Sequence, residues 1–188
     1  MGWKRLSDFV RSLEESGELL RIPDPVDVEL EAGCFADRMV KRGGPAIKFE
    51  QPRLPDGSIS EFPLLMNLYG TRDRTNRALG VTEPKEVGEK MTALMKPDVG
   101  AIMRAPWKGI GLALDGMSMA PRKVLFKGAC QQVVMEEPDV TVLPIPKTWP
   151  EYGDRFMTLP LVFTADPKTR DHNMRMYRSH VYGPTEVG

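Results

Sequence analysis

Cysteine and histidine are both close to absent. Cys34 and Cys130 are the only thiols in 188 residues, and they lie far apart without a Cys-x-x-Cys spacing. A disulfide framework is therefore not expected, and the two read as small buried hydrophobes. His172 and His180 are the only imidazoles. On a single strand they would stand about 26 Å apart, too far to share a metal, so a self-contained zinc site is not expected. An excess of charge is missing too. The 26 basic and 26 acidic residues cancel, which removes any general electrostatic attraction to nucleic acid or an anionic membrane. No apolar run approaches the ~18 residues that cross a bilayer. The opening Met1-Gly2-Trp3-Lys4-Arg5 leads into Ser7-Asp8 with no hydrophobic signal core, and Leu6 stands where N-myristoylation needs Ser or Thr. The expectation is a cytoplasmic protein with no membrane span and no nucleic-acid partner.

What is present is the composition of an ordinary globular chain, 41% hydrophobic and 28% charged, long enough for one domain or two small ones. Leu6, Phe9, Val10 and Leu13 recur at helical spacing with Ser7 as a candidate N-cap, and Gly17 closes that helix. Leu19-Leu20-Arg21-Ile22 reads as a short strand ended by Pro23 and Pro25. A helix fits 29–42 with Leu30, Phe35 and Met39 inward, closed by Gly43-Gly44. A strand follows at 45–49, then a Pro/Gly-rich loop over 52–58, a strand at 62–68 and a helix over 72–79. Thr82, Glu83 and Pro84 open a further helix with Val87, Met91, Leu94 and Met95 inward, stopped by Pro97. The methionines at helical spacing read as core fillers.

Between 97 and 123 the periodicity is weak. Gly109-Ile110-Gly111 lacks the third glycine and preceding strand of a dinucleotide motif, and reads as a turn. The expected division is an N-terminal α/β domain over 1–115 and a second part over 116–188. There the pattern becomes short β-segments at 124–126, 130–135, 141–143, 159–164 and 172–182. Asp166-Pro167 and Thr169-Arg170-Asp171 supply turn chemistry, so 156–164 is expected antiparallel to 172–182.

Chemistry concentrates in that last hairpin. Trp149, Arg155, Asn173, Arg175, Tyr177 and Arg178 gather aromatic and polar groups. An arginine presents a fixed donor fork suited to carboxylate or phosphate. An Asn carbonyl oxygen suits a hard cation. On spacing alone, a solvated strand with alternating polar residues stays an open reading.

The ordered stretches Leu64-Leu65-Met66-Asn67-Leu68-Tyr69-Gly70-Thr71-Arg72 through Ala78-Leu79-Gly80, Lys147-Thr148-Trp149-Pro150-Glu151-Tyr152-Gly153-Asp154-Arg155-Phe156-Met157-Thr158-Leu159-Pro160 and Asn173-Met174-Arg175-Met176-Tyr177-Arg178 resemble the UbiD family of prenylated-FMN-dependent decarboxylases. The resemblance implies an α+β fold, an N-terminal α/β domain followed by the first strands of a split β-barrel flavin-binding domain. It implies a reversible carboxy-lyase acting on an aromatic or α,β-unsaturated carboxylic acid. Asn173 would bind a divalent cation, Mn2+ or similar, at the flavin phosphate. Met176, Tyr177 and Arg178 would lie along the prenylated FMN, and Arg178, the catalytic candidate, would meet the substrate carboxylate. K+ would accompany the metal, a flavin prenyltransferase would supply the cofactor, and the full-length form would be a homo-oligomer.

Arg175 departs from the small residue, often Gly, common at that position. It either adds a phosphate contact or crowds the metal. Asn173 and Arg178 are spaced to span about 16 Å, near the length of an extended flavin mononucleotide. Their odd separation puts them on opposite faces of a regular strand. A bulge, a strong twist or a cofactor lying across the strand end is therefore required. The remaining metal ligands, a His and a Glu, and the protonating acid fall in a later family segment, so a chain ending at Gly188 is expected to be inactive alone. A second reading is a noncatalytic flavin-binding or partner subunit completed in trans, and a third a structural domain with a vestigial motif.

Overall fold

The computed structural model describes residues 3–96, 99–104, 106–119 and 125–188. It is a mixed α+β structure whose contacts fall into two units, Asn76–Val134 and a second made of Trp3–Thr75 with Met135–Gly188.

The second unit is built on a three-stranded sheet in the order β1-β2-β3, with β1 at Leu19–Asp27, β2 at Ala46–Arg53 and β3 at Leu64–Met66. β1 and β2 are parallel and are joined through helix α2, Glu31–Lys41, while β2 and β3 are antiparallel. Helix α1, Leu6–Glu15, precedes them and buries Phe9 and Leu13. Gly17 ends it at φ 73, a left-handed conformation that glycine adopts without Cβ strain. The core joins Val26, Ala32, Ile47 and Phe49, with Ile22, Met39, Leu64 and Met66 packed on it.

Several boundaries differ from expectation for physical reasons. Pro23 and Pro25 do not end β1. The strand lies at the sheet edge, and its register shifts between Ile22 and Pro25, so the missing N–H groups break no central ladder. β2 continues through Pro52 and Arg53, into the expected loop, while β3 is shorter than 62–68. Arg5, not Ser7, precedes α1, and no side chain caps it. Leu30 and Phe35 are partly exposed, and the inward face of α2 is Ala32 and Gly33 with Met39. Cys34 is a free, exposed thiol rather than a buried one.

Gly33 is buried because the chain returns to it. Leu30 N–H donates to the Lys147 carbonyl at 2.7 Å, and Lys147 N–H donates to the Val28 carbonyl at 3.1 Å. A Cβ at Gly33 would lie 2.9 Å from the Thr148 Cα, closer than packed atoms tolerate. Helix α3, Arg72–Leu79, is anchored by the buried Arg74. Its guanidinium meets Glu18 at 2.7 Å, the Gly44 carbonyl at 2.9 Å, and the Asn67 and Leu68 carbonyls at 3.3 Å each. Asn67 turns the chain from β3 toward α3 at φ 56, a conformation open to Asn. It donates its side-chain amide to the Pro45 carbonyl at 2.7 Å.

The unit Asn76–Val134 is helical, with α4 at Lys85–Met95, α5 at Val99–Arg104 and α6 at Pro106–Met119. Helices therefore occupy much of the stretch read as weakly periodic, and Gly109-Ile110-Gly111 lies inside α6 rather than in a turn. Pro97 lies outside the described residues. The expected inward face of α4 is not buried, and Met91 and Met95 are exposed. Val124 also lies outside the described residues, and Leu125 and Phe126 form no strand. The expected strands at 130–135 and 141–143 are replaced by short 3-10 turns at Ala129–Gln131 and Val140–Val142. Asp139 caps the latter by accepting from the Thr141 N–H at 2.7 Å. That N–H and the Thr141 hydroxyl hold its carboxyl below the usual range, the hydroxyl having the larger effect.

Candidate functional site

The alternating residues from 156 to 182 fold as an interrupted hairpin. β4, Phe156–Met157, pairs antiparallel with β7, Ser179–Gly183, and β5, Leu161–Ala165, pairs antiparallel with β6, His172–Met176. β7 also carries the short β8, Glu186–Val187. Between the two ladders, residues 158–160 stand against only Tyr177 and Arg178. This is a bulge-type mismatch, and Pro160, which has no N–H to give a ladder, lies on its longer side. The irregularity required between Asn173 and Arg178 is therefore present.

Register sets which side chains share a face. Asn173 is opposite Thr164 and Arg175 opposite Val162, while Met174 is opposite Phe163 and Met176 opposite Leu161. Alternation thus makes one polar face, with Asn173 and Arg175, and one apolar face, with Met174, Met176, Leu161 and Phe163. All five residues of β6 are exposed. The far edge of β6 has no partner strand among the described residues.

Arg178 lies just past this strand in a different environment. Its guanidinium carbon is 4.4 Å from the Phe156 ring centroid and 5.4 Å from that of Tyr152, within cation–π range. Phe156 stacks on His180 at 4.5 Å and 18°, and His180 meets Tyr182 at 4.3 Å. Tyr152 approaches Phe156 edge-on at 5.7 Å. Arg155 is buried beside them. Its Nε stands 3.6 Å from the Asp154 carboxylate, while its Nη1, like Nε2 of His180, has no hydrogen-bond partner among the described residues. Such unpartnered groups fit a site that receives a further polar partner.

The structure therefore brings together Arg178, Tyr152, Phe156 and His180, and keeps Asn173 apart on the polar face of β6. Met176 belongs to the opposite face, and Tyr177 is part of the interruption. Tyr152 and Phe156 lie inside the motif stretch 147–160, where no role was assigned to them. Their signal was register, since Phe156 is opposite His180 and adjacent to Arg178 only once the two strands are paired. Among the described residues no three His, Cys, Asp or Glu side chains gather as metal ligands. Asn173 offers one neutral oxygen, so these residues alone do not make a divalent-cation site. A separate cleft of about 540 Å3 is lined by Leu64, Asn67, Tyr69, Thr148, Thr158 and Leu159, among others. Two of the motif stretches thus meet at one place.

Comparison with known proteins gives a consistent result. Residues 10–94 match the 3-octaprenyl-4-hydroxybenzoate carboxy-lyase N-terminal domain, and residues 122–188 match the 3-octaprenyl-4-hydroxybenzoate carboxy-lyase Rift-related domain, both of the UbiD type. An uncharacterized protein of Archaeoglobus fulgidus is 38% identical across all 188 residues, and the chain spans 37% of its length. Among solved structures, the closed form of vanillic acid decarboxylase from Sedimentibacter hydroxybenzoicus is similar over 100% of this chain and 37% of its own, with a TM-score of 0.75 at 20% identity. An evolved dimeric form of the UbiD-class enzyme HmfF from Pelotomaculum thermopropionicum, in complex with prFMN, matches over 97% of this chain and 37% of its own, with a TM-score of 0.71 at 20% identity. Apo 3,4-dihydroxybenzoic acid decarboxylase from Klebsiella pneumoniae matches over 97% and 36%, with a TM-score of 0.63 at 22% identity. At such identities the structural likeness shows the fold.

Proposed function

The chain belongs to the UbiD carboxy-lyase family, and from that premise we propose that it is the N-terminal part of a prenylated-FMN-dependent decarboxylase acting reversibly on an aromatic or α,β-unsaturated carboxylic acid. The observation that carries this reading is the interrupted strand of the family motif. The interruption separates an Asn on an exposed strand from an Arg set over aromatic rings. The same proposal divides the chain into an N-terminal domain over 1–115 and a flavin-binding part over 116–188. The family matches, which end at 94 and resume at 122, support that division.

Because Asn173 and Met176 occupy opposite faces of β6, a flat ligand reaches both only along the strand's free edge. A prenylated flavin placed there fits the exposed Met176 and Tyr177. When bound, it supplies the electron sink that takes up charge as carbon dioxide leaves. Arg178 binds the substrate carboxylate through its planar donor fork and holds it in one orientation. Asn173 would contribute one oxygen toward a divalent cation such as Mn2+. Arg175 shares its face, within reach of the flavin's phosphate end. The other ligands for Mn2+ and K+ would come from outside this set of residues. A cytoplasmic location, a homo-oligomeric holoenzyme and dependence on a flavin prenyltransferase complete the proposal. No helix among the described residues is long and apolar enough to cross a membrane.

The test supplies prenylated flavin, Mn2+ and K+ to the 188-residue chain and, in parallel, to the holoenzyme that contains it. Carbon dioxide release from aromatic and acrylic acids is measured in both. Release by the holoenzyme with none from the chain alone is the expected result. A holoenzyme that binds flavin and releases no carbon dioxide from any acid would favour a noncatalytic flavin-binding subunit instead.

A further inference from the structure

Among the described residues, Leu30, Asn67 and Arg170 have a left-handed φ without being glycine. Asn tolerates that region, and Arg170 lies in the turn between β5 and β6. Leu30 stands at the start of α2, where the backbone is ordinarily extended and the side chain polar. Its φ is 67° and its ψ −44°, and the Glu31 N–H donates to the Glu29 carbonyl at 2.7 Å. That is a tight γ-turn, a form rare and strained for a residue with a Cβ. Such strain lasts only where the surroundings over-determine it. Here the surroundings are the returning chain. Leu30 N–H donates to the Lys147 carbonyl at 2.7 Å and Lys147 N–H to the Val28 carbonyl at 3.1 Å, so Lys147 pairs with Glu29 in a parallel bridge. Thr148 then lies against Gly33 in the first turn of α2.

We propose that residues 147–149 form a releasable strap, latched to the N-terminal sheet through a turn whose strain is offset only while the strap is seated. Two hydrogen bonds and one close backbone approach hold it. Their net contribution is of the same order as the strain at Leu30, so the seated and released forms are close in free energy. The strap leads into Tyr152, whose ring centroid is 5.4 Å from the Arg178 guanidinium carbon. It also leads into Phe156, whose N–H donates to the Pro146 carbonyl at 3.4 Å. Release therefore loosens one side of the aromatic cluster without unfolding the sheet, which keeps its own core of Val26, Ala32, Ile47 and Phe49.

The experiment is amide hydrogen exchange on the purified holoenzyme, resolved at Lys147 and, as internal standards, at Ile47 and Phe49 in β2. In the wild type the Lys147 amide should exchange at least about 100-fold faster than the two core amides, because its opening is local. Leu30→Gly deletes a side chain, yet should slow Lys147 exchange by about tenfold relative to the core, the gain left when relieved strain is set against glycine's chain entropy. Leu30→Val should speed it, since a branched Cβ makes the turn costlier. Trypsin cleavage after Lys147 should follow the same order. Were the contact fixed packing, losing the Leu30 side chain would speed exchange, so the sign separates the two. If one variant unfolds, the other still gives the sign. Lys147 exchange as slow as that of Phe49 overturns the proposal, as does exchange unchanged or faster in Leu30→Gly, or unchanged or slower in Leu30→Val.

Discussion

Gly33 and Arg74 show how single side chains decide the frame around the site. An alanine at position 33 would gain about 1 kcal/mol of helix propensity over glycine. Its Cβ would press into the Thr148 backbone at 2.9 Å, an overpacking that costs about 1–3 kcal/mol. The clash wins, so Gly33→Ala should lower stability by up to about 2 kcal/mol in urea unfolding. Arg74→Ala should be worse. It removes the link to Glu18 and takes one donor each from the carbonyls of Gly44, Asn67 and Leu68. We expect a loss of about 2–4 kcal/mol in the same assay. Arg74→Lys should recover little, because one ammonium cannot serve that fork. The motif marked Arg178 and Asn173 as candidates, with Asn173 in β6 and Arg178 in the break between β6 and β7. Phe156 stands in the motif, but its place beside the guanidinium shows only once the strands pair. Gly33 was hidden for the same reason, since its neighbour Thr148 is distant in sequence.

At the scale of elements, legibility followed local signal. α1, α2 and α3 have clear periodicity and formed close to their expected ranges. α5 and α6 were missed because glycine, proline and methionine blur the pattern. The 3-10 turns near 130 and 141 have apolar runs that imitate strands, but Gln131, Asp139 and their neighbours draw the backbone into local hydrogen bonds instead. The β5–β6 hairpin was legible from its turn residues. Asp166 accepts from the Thr169 and Lys168 N–H groups at 2.7 Å each. These amides, Thr169 foremost, hold its carboxyl below the usual range. A carboxyl depressed in the folded state stabilises above its unfolded value, about 3.9, and that contribution is lost as pH falls through the lower folded value. The Thr169 amide should therefore stay protected from exchange at neutral pH and lose protection below about pH 4. In Asp166→Ala that pH dependence should vanish. Protection in the variant that still falls over the same window would show that another group controls the turn.

For the molecule as a whole, the α+β class and the family were readable because several separated stretches agree in order. The bulge was readable from the odd spacing of Asn173 and Arg178, but its location was not, because Pro160 acts through the partner strand. The metal was implied by resemblance alone, and among the described residues no three His, Cys, Asp or Glu side chains gather to hold one. The central claim is that Arg178 receives the substrate carboxylate. The most direct measurement is carbon dioxide release by the flavin-loaded holoenzyme containing wild-type, Arg178→Ala or Arg178→Lys chains, with flavin content read from absorbance. The account predicts turnover of at least one aromatic or acrylic acid by the wild type. Alanine should reduce it to background with much of the flavin still bound, and lysine should leave little activity because it lacks the bidentate fork. Turnover near the wild-type rate in Arg178→Ala would contradict it.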